Sequence, residues 1–364
     1  MKKSYNINKI NEWFDKDLPF PIIIAGPCSA ESFEQVYKTA QELSNDSRIK
    51  IFRAGIWKAR TNPSDFKGIG EIAFEWLKVV KNDFKLKLAT EVMSPKHVEL
   101  TLKHGIDILW LGTRTVSNPY SVQEIADALK GVNIPVLIKN PMNPDLRLWF
   151  GAVERMYKAG IKKIGLVHRG FFPFEYTPLR NIPKWELIID IRLNYPKIPI
   201  IVDPSHMAGN TKYIKELTQK AMDLCYDGIM IETHIKPQNA LSDANQQLHP
   251  KKLIKILNEI NYCQQNKSEQ YLELYRLREK IDSIDFQLLE LLSQRMNVVR
   301  QMAKYKKNNN IPILQIQRWR EIISTRFIRA EQLGLNKDFI KNLLDAIHLE
   351  AIRIQSEENK KGDK

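Results

Sequence analysis

The sequence predicts a (β/α)8 barrel followed by an all-α, three-helix dimerising domain. Three observations carry that expectation. Short β-branched runs alternate with amphipathic stretches eight times up to about residue 265. A polar junction, "NYCQQNKSEQ" at 261–270, then breaks the pattern. Beyond it no strand signal remains, and apolar residues recur at steps of three and four, the period of a helix.

In order, the runs are "PIIIAG" near 22, "IKIFRAG" near 50, "LKLATEV" near 88 and "DILWLG" near 108. They continue with "IPVLIKN" near 135, "KKIGLVH" near 164, "IPIIVDPS" near 200 and "GIMIET" near 229. Helical text such as "SFEQVYKTAQELS" and "SVQEIADALKG" lies between them. Such repeats fill the usual size of a closed barrel, about 250 residues. An open, doubly wound sheet is the alternative. No G-x-G-x-x-G follows the first run, which weakens its dinucleotide-binding version. The expected boundaries are 1–262 for the barrel, 263–270 for a linker and 271–364 for the helical domain.

In the helical part, Leu274, Leu277, Ile281, Ile284, Leu288 and Leu291 form one stripe on a helix running towards Lys306. "KKNNNIP" ends it. Two shorter helical patterns follow, about 315–332 and 336–357, separated by "LGLN". A helix this long cannot bury its stripe against two short ones, which predicts a homodimer of three-helix units.

The bulk features narrow the function. No run approaches the roughly 20 apolar residues of a membrane span. The start, "MKKSYNINKINEWF", has no apolar signal core. Cys28, Cys225 and Cys263 are too scattered for a disulfide framework and fit a reducing cytoplasm. The net charge of +14 invites a nucleic-acid reading. The lysines are spread along helical faces, however, with no basic block interleaved with aromatics. Neither nucleic acid nor membrane is expected as a partner. An acidic, phosphorylated small substrate explains local cations equally well.

In such a barrel, chemistry gathers at the C-terminal ends of the strands. Cys28 follows the first, Arg53 ends the second with "WKART" in its loop, and Glu91 ends the third. Arg114 follows the fourth, Lys139 ends the fifth, and His168 and Arg169 end the sixth. "DPSH", with Asp203 and His206, ends the seventh; Glu232 ends the eighth, and Asp243 lies in the next loop. Singly these are weak signals: a lone cysteine after a strand is commonly a buried small hydrophobe. Together on one rim they sort into two chemistries. Cys28, His206, Glu232 and Asp243 suit a divalent metal ion such as Mn, Fe, Co or Zn. Arg53, Lys58, Arg60, Arg114, Lys139 and Arg169 call for anions, phosphate and carboxylate above all.

The motifs "AGPCSAES", "RAGIWKART", "TEVM", "IKNP", "DPSH", "IETH" and "ALSD", over about residues 20–260, resemble 3-deoxy-D-arabino-heptulosonate 7-phosphate (DAHP) synthase. The variety is the one whose barrel is similar to the octulosonate-phosphate synthases. The resemblance implies condensation of phosphoenolpyruvate with erythrose 4-phosphate, the entry to the shikimate pathway. It implies Cys28, His206, Glu232 and Asp243 as metal ligands. It implies Arg114, Lys139 and Arg169, with Lys58 and Arg53, as the phosphoenolpyruvate site, and Arg60 and Thr61 as the erythrose 4-phosphate site. Lys58, between both substrates, is the candidate for proton delivery that the resemblance implies. The family's Lys-Pro-Arg-Thr reads "KART" here, with Ala59 for proline, and no functional side chain is lost. The Arg-Thr pair favours the four-carbon aldose phosphate over arabinose 5-phosphate.

"LYRLREKIDSIDFQLLELLSQRMNVVRQMAKYK" resembles the all-helical chorismate mutases over about 270–357. Arg278, Arg295 and Lys306 fall on that family's cationic positions, Gln315 and Arg318 on its second helix, and Gln355 on its third. The resemblance implies rearrangement of chorismate to prephenate. Arg278, Arg295 and Arg318 would clamp the carboxylates, and Lys306 and Gln355 would serve the ether oxygen. At 100° per residue, Arg295 and Lys306 lie only about 20° apart and Arg278 about 100° from Arg295. Arg278 is therefore expected to complete the site of a second chain. Two departures stand out. Trp319 replaces a glutamate that hydrogen-bonds the substrate hydroxyl in many relatives, leaving Gln315 for that contact, and Ala351 replaces a serine. The alternative reading keeps the synthase and makes the helical domain a dimerising sensor of prephenate or chorismate. No small regulatory module is read before the first strand, so feedback would act through the helices.

Overall fold

The structure is a computed structural model describing residues 5–14, 18–60, 62–174, 177–262 and 268–360, with side chains left aside at 268–276, 279, 359 and 360. Most of the expected linker, 263–267, lies outside the described residues. The chain divides into two compact units, Met1–Gln264 and Gln265–Lys364.

In the first unit the eight β-branched runs form eight strands: β1 Ile22–Gly26, β2 Ile49–Arg53, β3 Lys87–Val92, β4 Ile108–Leu111, β5 Val136–Lys139, β6 Ile164–His168, β7 Ile200–Val202 and β8 Gly228–Glu232. They pair in sequence order, all parallel, and close into a barrel. β1 lies against β8, with Ile22 opposite Gly228 and Gly26 opposite Glu232. Buried on both faces, the strands read as continuous apolar runs. Alternate residues divide the core in two. Ile22, Ile24, Ile51, Trp110, Leu137, Val167 and Met230 fill the barrel, and Trp13 packs with them. Ile23, Ala25, Phe52, Leu109, Ile138 and Ile229 face the helices.

The helices are α1 Phe33–Ser44, α2 Ala73–Phe84, α3 Pro95–Lys103, α4 Thr113–Val116, α5 Pro119–Ala128, α6 Leu146–Lys158, α7 Trp185–Asn194, α8 Pro204–Ala208, α9 Ile214–Asp223 and α10 Pro250–Glu259. Side-chain caps start several of them: Ser32 accepts from the Gln35 amide, Asp145 from Arg147 and Leu148, and Asp203 from His206. Two glycines allow close approach of neighbouring strands at the C-terminal rim of the barrel. A Cβ on Gly26, at φ +148°, would fall 2.1 Å from the Arg53 carbonyl oxygen; one on Gly112 would fall 1.9 Å from Glu91 Oε1.

The second unit is three helices, α11 Ser268–Asn308, α12 Ile316–Gln332 and α13 Lys337–Lys360. Its core is small, centred on Val299, Ala351 and Ile354 with Met296 beside them. The expected stripe of α11 is not covered: Leu277, Ile281, Ile284, Leu288 and Leu291 are all exposed in the single chain. The side chain of Leu274 lies outside the described residues.

Candidate active site

β1 hands the chain through Gly26 to Cys28, which is fully buried. Because β8 is the neighbour of β1, Glu232 arrives beside it, and the following loop brings Asp243. Cys28 Sγ lies 3.2 Å from Asp243 Oδ2. The ligand atoms of Cys28, Glu232 and Asp243 all fall within 4.8 Å of one another. His206, on α8, places Nε2 3.7 Å from Glu232 Oε1, while its Nδ1 lies 2.8 Å from Asp203 Oδ2. Asp203 thereby fixes the ring and leaves Nε2 turned to the cluster.

The electrostatics fit a cation bound among these groups. Burial, with Glu232 and Asp243 adding to it, pushes the Cys28 thiol up to about 12. Burial and Lys139 lower the His206 pKa, against the pull of Asp203 and Glu232. Asp243 stays well below the usual carboxylate range; burial opposes this, and His206, Lys58 and Arg180 outweigh it. Asp243 also sits at φ 49°, a left-handed conformation held by its surroundings. One sulfur, one imidazole nitrogen and two carboxylates match a borderline divalent transition ion better than the all-oxygen preference of Mg²⁺ or Ca²⁺.

The expected cations converge as well. Arg53, Lys58, Arg60, Arg114, Lys139 and Arg169 line one cavity of about 260 Å³, together with His206 and Asp243. Arg53 is buried beneath it, its Nη2 donating to Glu232 Oε1 at 3.0 Å and its guanidinium 5.0 Å from the Trp110 ring centre. Its Nε and Nη1 are sealed from solvent with no partner among the described residues. Two orphaned donors on a fixed cation need an anion. Lys139 Nζ donates to Asp203 Oδ2 at 2.8 Å, and burial lowers its pKa. Burial brings Arg169 down to about 10 despite Asp203, and Arg180 and Arg114 add to the fall. Lys58 is raised: burial opposes its charge, but Cys28, Glu91 and Glu232 favour it more strongly. Arg60 Nε donates to the Phe66 carbonyl at 2.9 Å, and Arg114 Nη1 to that of Ala59 at 3.0 Å. Thr61 lies outside the described residues.

In the helical unit, Lys306 is buried and donates to the Ile313 carbonyl at 2.7 Å, which leaves two of its protons for another partner. It shares a cavity with Gln315, Val298 and Met302. Gln355 is buried, its Nε2 donating to the Ala351 carbonyl at 3.1 Å and its Oε1 sealed without a partner. As placed it offers an acceptor; service to an ether oxygen needs its amide reversed. Arg295 is exposed on α11, and Arg318 is exposed and paired with Glu321 at 2.7 Å. Arg278 is exposed and does not line the Lys306 cavity.

The DAHP synthetase I family model matches residues 12–269. The chain belongs to this family. A second model, chorismate mutase type II, matches residues 277–356, so the chain fuses a DAHP synthase domain to a chorismate mutase domain. Phospho-2-dehydro-3-deoxyheptonate aldolase of Thermotoga maritima is 32% identical over 226 residues, which are 62% of this chain and 64% of that protein. The chain thus spans somewhat less than two thirds of that relative. The 2-dehydro-3-deoxyphosphooctonate aldolase of Wolinella succinogenes is 27% identical over 66% of this chain and 97% of its own length. Among solved structures, the Thermotoga maritima DAHP synthase superposes with a TM-score of 0.59 at 30% identity, covering 65% of this chain and 67% of that one. Among the described residues no helix is long and apolar enough to cross a membrane.

Several residues around this candidate site escape a search of strand ends. Arg180 donates to Asp243 Oδ1 at 2.9 Å and to Gln246 Oε1 at 2.8 Å. Gln246 Nε2 in turn donates to Glu232 Oε2 at 2.7 Å, and Gln247 Oε1 accepts from the Cys28 amide at 3.0 Å. Asn181 Oδ1 accepts from Arg169 Nη1 at 3.0 Å. The long β6–α7 connection, 169–184, is the signal for Arg180 and Asn181, since long loops in compact domains tend to carry function. The glutamine pair "QQ" beside Asp243 is the weaker signal for the rest.

Proposed function

We propose that the chain catalyses two reactions. The barrel condenses phosphoenolpyruvate with erythrose 4-phosphate and water to give DAHP and phosphate. The helical domain rearranges chorismate to prephenate. The observation that carries the first is the meeting, on one rim, of a mixed sulfur, nitrogen and oxygen ligand cluster with a set of cations around one cavity, among them buried Arg53, two of whose nitrogens lack partners among the described residues. A divalent metal held by Cys28, His206, Glu232 and Asp243 would supply Lewis-acid polarisation of the aldehyde oxygen. Arg53, Arg114, Lys139 and Arg169 bind the phosphate and carboxylate of phosphoenolpyruvate, while Arg60 and Thr61 take the phosphate of the aldose. C3 of phosphoenolpyruvate then attacks the aldehyde carbon. Lys58, kept cationic by its carboxylate neighbours, gives its proton to the new hydroxyl oxygen. Water adds at C2, and the tetrahedral carbon expels phosphate.

The test supplies phosphoenolpyruvate, erythrose 4-phosphate and Mn²⁺ to the full chain. Phosphate release that requires the aldose phosphate supports the reading. No release, or faster release with arabinose 5-phosphate, overturns it.

The mutase reading needs neither nucleophile nor base. It needs the chair-like conformer held and charge on the ether oxygen stabilised. The uncovered stripe of α11 supports a homodimer in which Arg278 of a second copy joins Arg295 and Arg318 at the carboxylates. Loss of chorismate in the presence of the full chain tests it.

A further inference from the structure

The mutase domain departs from its relatives at Trp319 and Ala351, and the structure places a histidine between those departures. Trp319 of α12 stacks on His348 of α13, ring centres 3.9 Å apart and planes 13° from parallel. His348 Nε2 is sealed from solvent and has no partner among the described residues. Seven residues on, Gln355 Oε1 is in the same condition. Seven residues turn a helix about 20° short of two full turns, so the two side chains share one face of α13. Ala351 and Ile354, between them on α13, are buried with Val299 of α11, so this face looks towards the helix that carries Arg295 and Lys306. A pair of unpartnered polar atoms on one buried face marks a place made for a polar ligand.

Burial, and then Arg295, lower the His348 pKa; Asp345 opposes them, and Lys306 adds a smaller push in the same direction as Arg295. The ring is therefore neutral and can exchange a hydrogen bond with an uncharged group. Resting on the mutase reading above, the ligand has two carboxylates, an ether oxygen and one hydroxyl. The carboxylates go to cations and the ether oxygen to Lys306 and Gln355. Only the hydroxyl remains, and a neutral donor–acceptor suits it. Gln315, the residue first expected there, is exposed.

We propose that His348, held flat by Trp319, binds the hydroxyl of chorismate and so replaces the missing glutamate as the specificity-determining contact. An interaction made equally in ground and transition states changes KM more than kcat.

Two variants of the full chain test this. His348→Phe keeps the stack and removes the hydrogen bond; His348→Gln keeps a hydrogen bond. The Phe variant is expected to raise KM for chorismate about tenfold with little change in kcat, and the Gln variant to recover much of the loss. With 4-deoxychorismate as substrate, wild type and the Phe variant are expected to match. Synthase activity reports on folding in each case. A Phe variant with unchanged KM, or one that loses as much on the deoxy substrate, overturns the assignment. An unaltered chain that turns over no chorismate overturns the mutase reading itself, and the assignment with it.

Discussion

Arg53 and Glu232 form an ion pair of 3.0 Å in which both side chains are almost wholly removed from water, 1% and 0% exposed. The partners come from β2 and β8, separated around the barrel only by β1. The pair fixes one carboxylate of the ligand cluster, while Arg53 also lines the anion cavity and its Nε and Nη1 have no partner among the described residues. It joins the two halves of the proposed synthase site.

Breaking that pair leaves a buried carboxylate uncompensated. Arg53→Met is expected to cost on the order of 3–5 kcal/mol in the unfolding of the barrel, read by chemical denaturation, and to abolish phosphate release. Chorismate loss should persist under native conditions. A fully stable, active variant would remove Arg53 from both roles.

Arg180 acts through other residues: it positions Asp243 and Gln246, and Gln246 positions Glu232. Arg180→Gln is expected to weaken Mn²⁺ binding about 10- to 100-fold, measured by titration calorimetry. Unchanged metal affinity with lost activity would move Arg180 to the substrate side.

His168 supplies a pH signature of the barrel. It is fully buried, bonded through Nδ1 to the Tyr226 hydroxyl at 2.8 Å, and burial pushes it down to about 3. Its ordinary value is about 6.5. The unfolded chain thus binds the extra proton first, and stability falls as pH drops from 6.5 towards 3. At pH 5 the loss is on the order of 2 kcal/mol. Comparing wild type with His168→Asn at pH 7 and pH 5 checks this: the acid-induced drop should shrink in the variant. An equal drop would assign the acid sensitivity elsewhere.

The parts of this architecture legible in sequence are those set by local pattern. All eight strands were legible because β-branched runs buried on two faces cannot be mistaken for loops. Cys28, His206 and Glu232 were legible because each stands at or just past a strand end, where barrel geometry alone sends it to one rim. Pairing was not legible. Nothing local says that Arg53 meets Glu232, or that Lys139 meets Asp203, because those contacts are fixed by closure of the barrel. Arg180 and Gln246 were missed for the same reason, since loops take their course from tertiary packing. In the helical unit the apolar stripe was read correctly as a pattern. The single chain leaves it exposed, as a surface awaiting a second copy would be.

The proposed homodimer carries its own prediction. Arg278 and Lys306 should act in one site from two different chains. Arg278→Ala and Lys306→Ala are each expected to lose chorismate turnover. Hybrids formed by co-expression should regain about a quarter of wild-type activity, because half the dimers then hold one intact site of two. No recovery in purified hybrids would place both residues in a single-chain site.

Two chemically separate sites on one chain require different things of a metal. The decisive measurement follows phosphate release and chorismate loss in a single sample before chelation, after it, and after Mn²⁺ is restored. Separate sites predict that phosphate release falls to background, returns with Mn²⁺, and leaves chorismate loss unchanged throughout. Full phosphate release from metal-free protein would contradict the ligand role of Cys28, His206, Glu232 and Asp243.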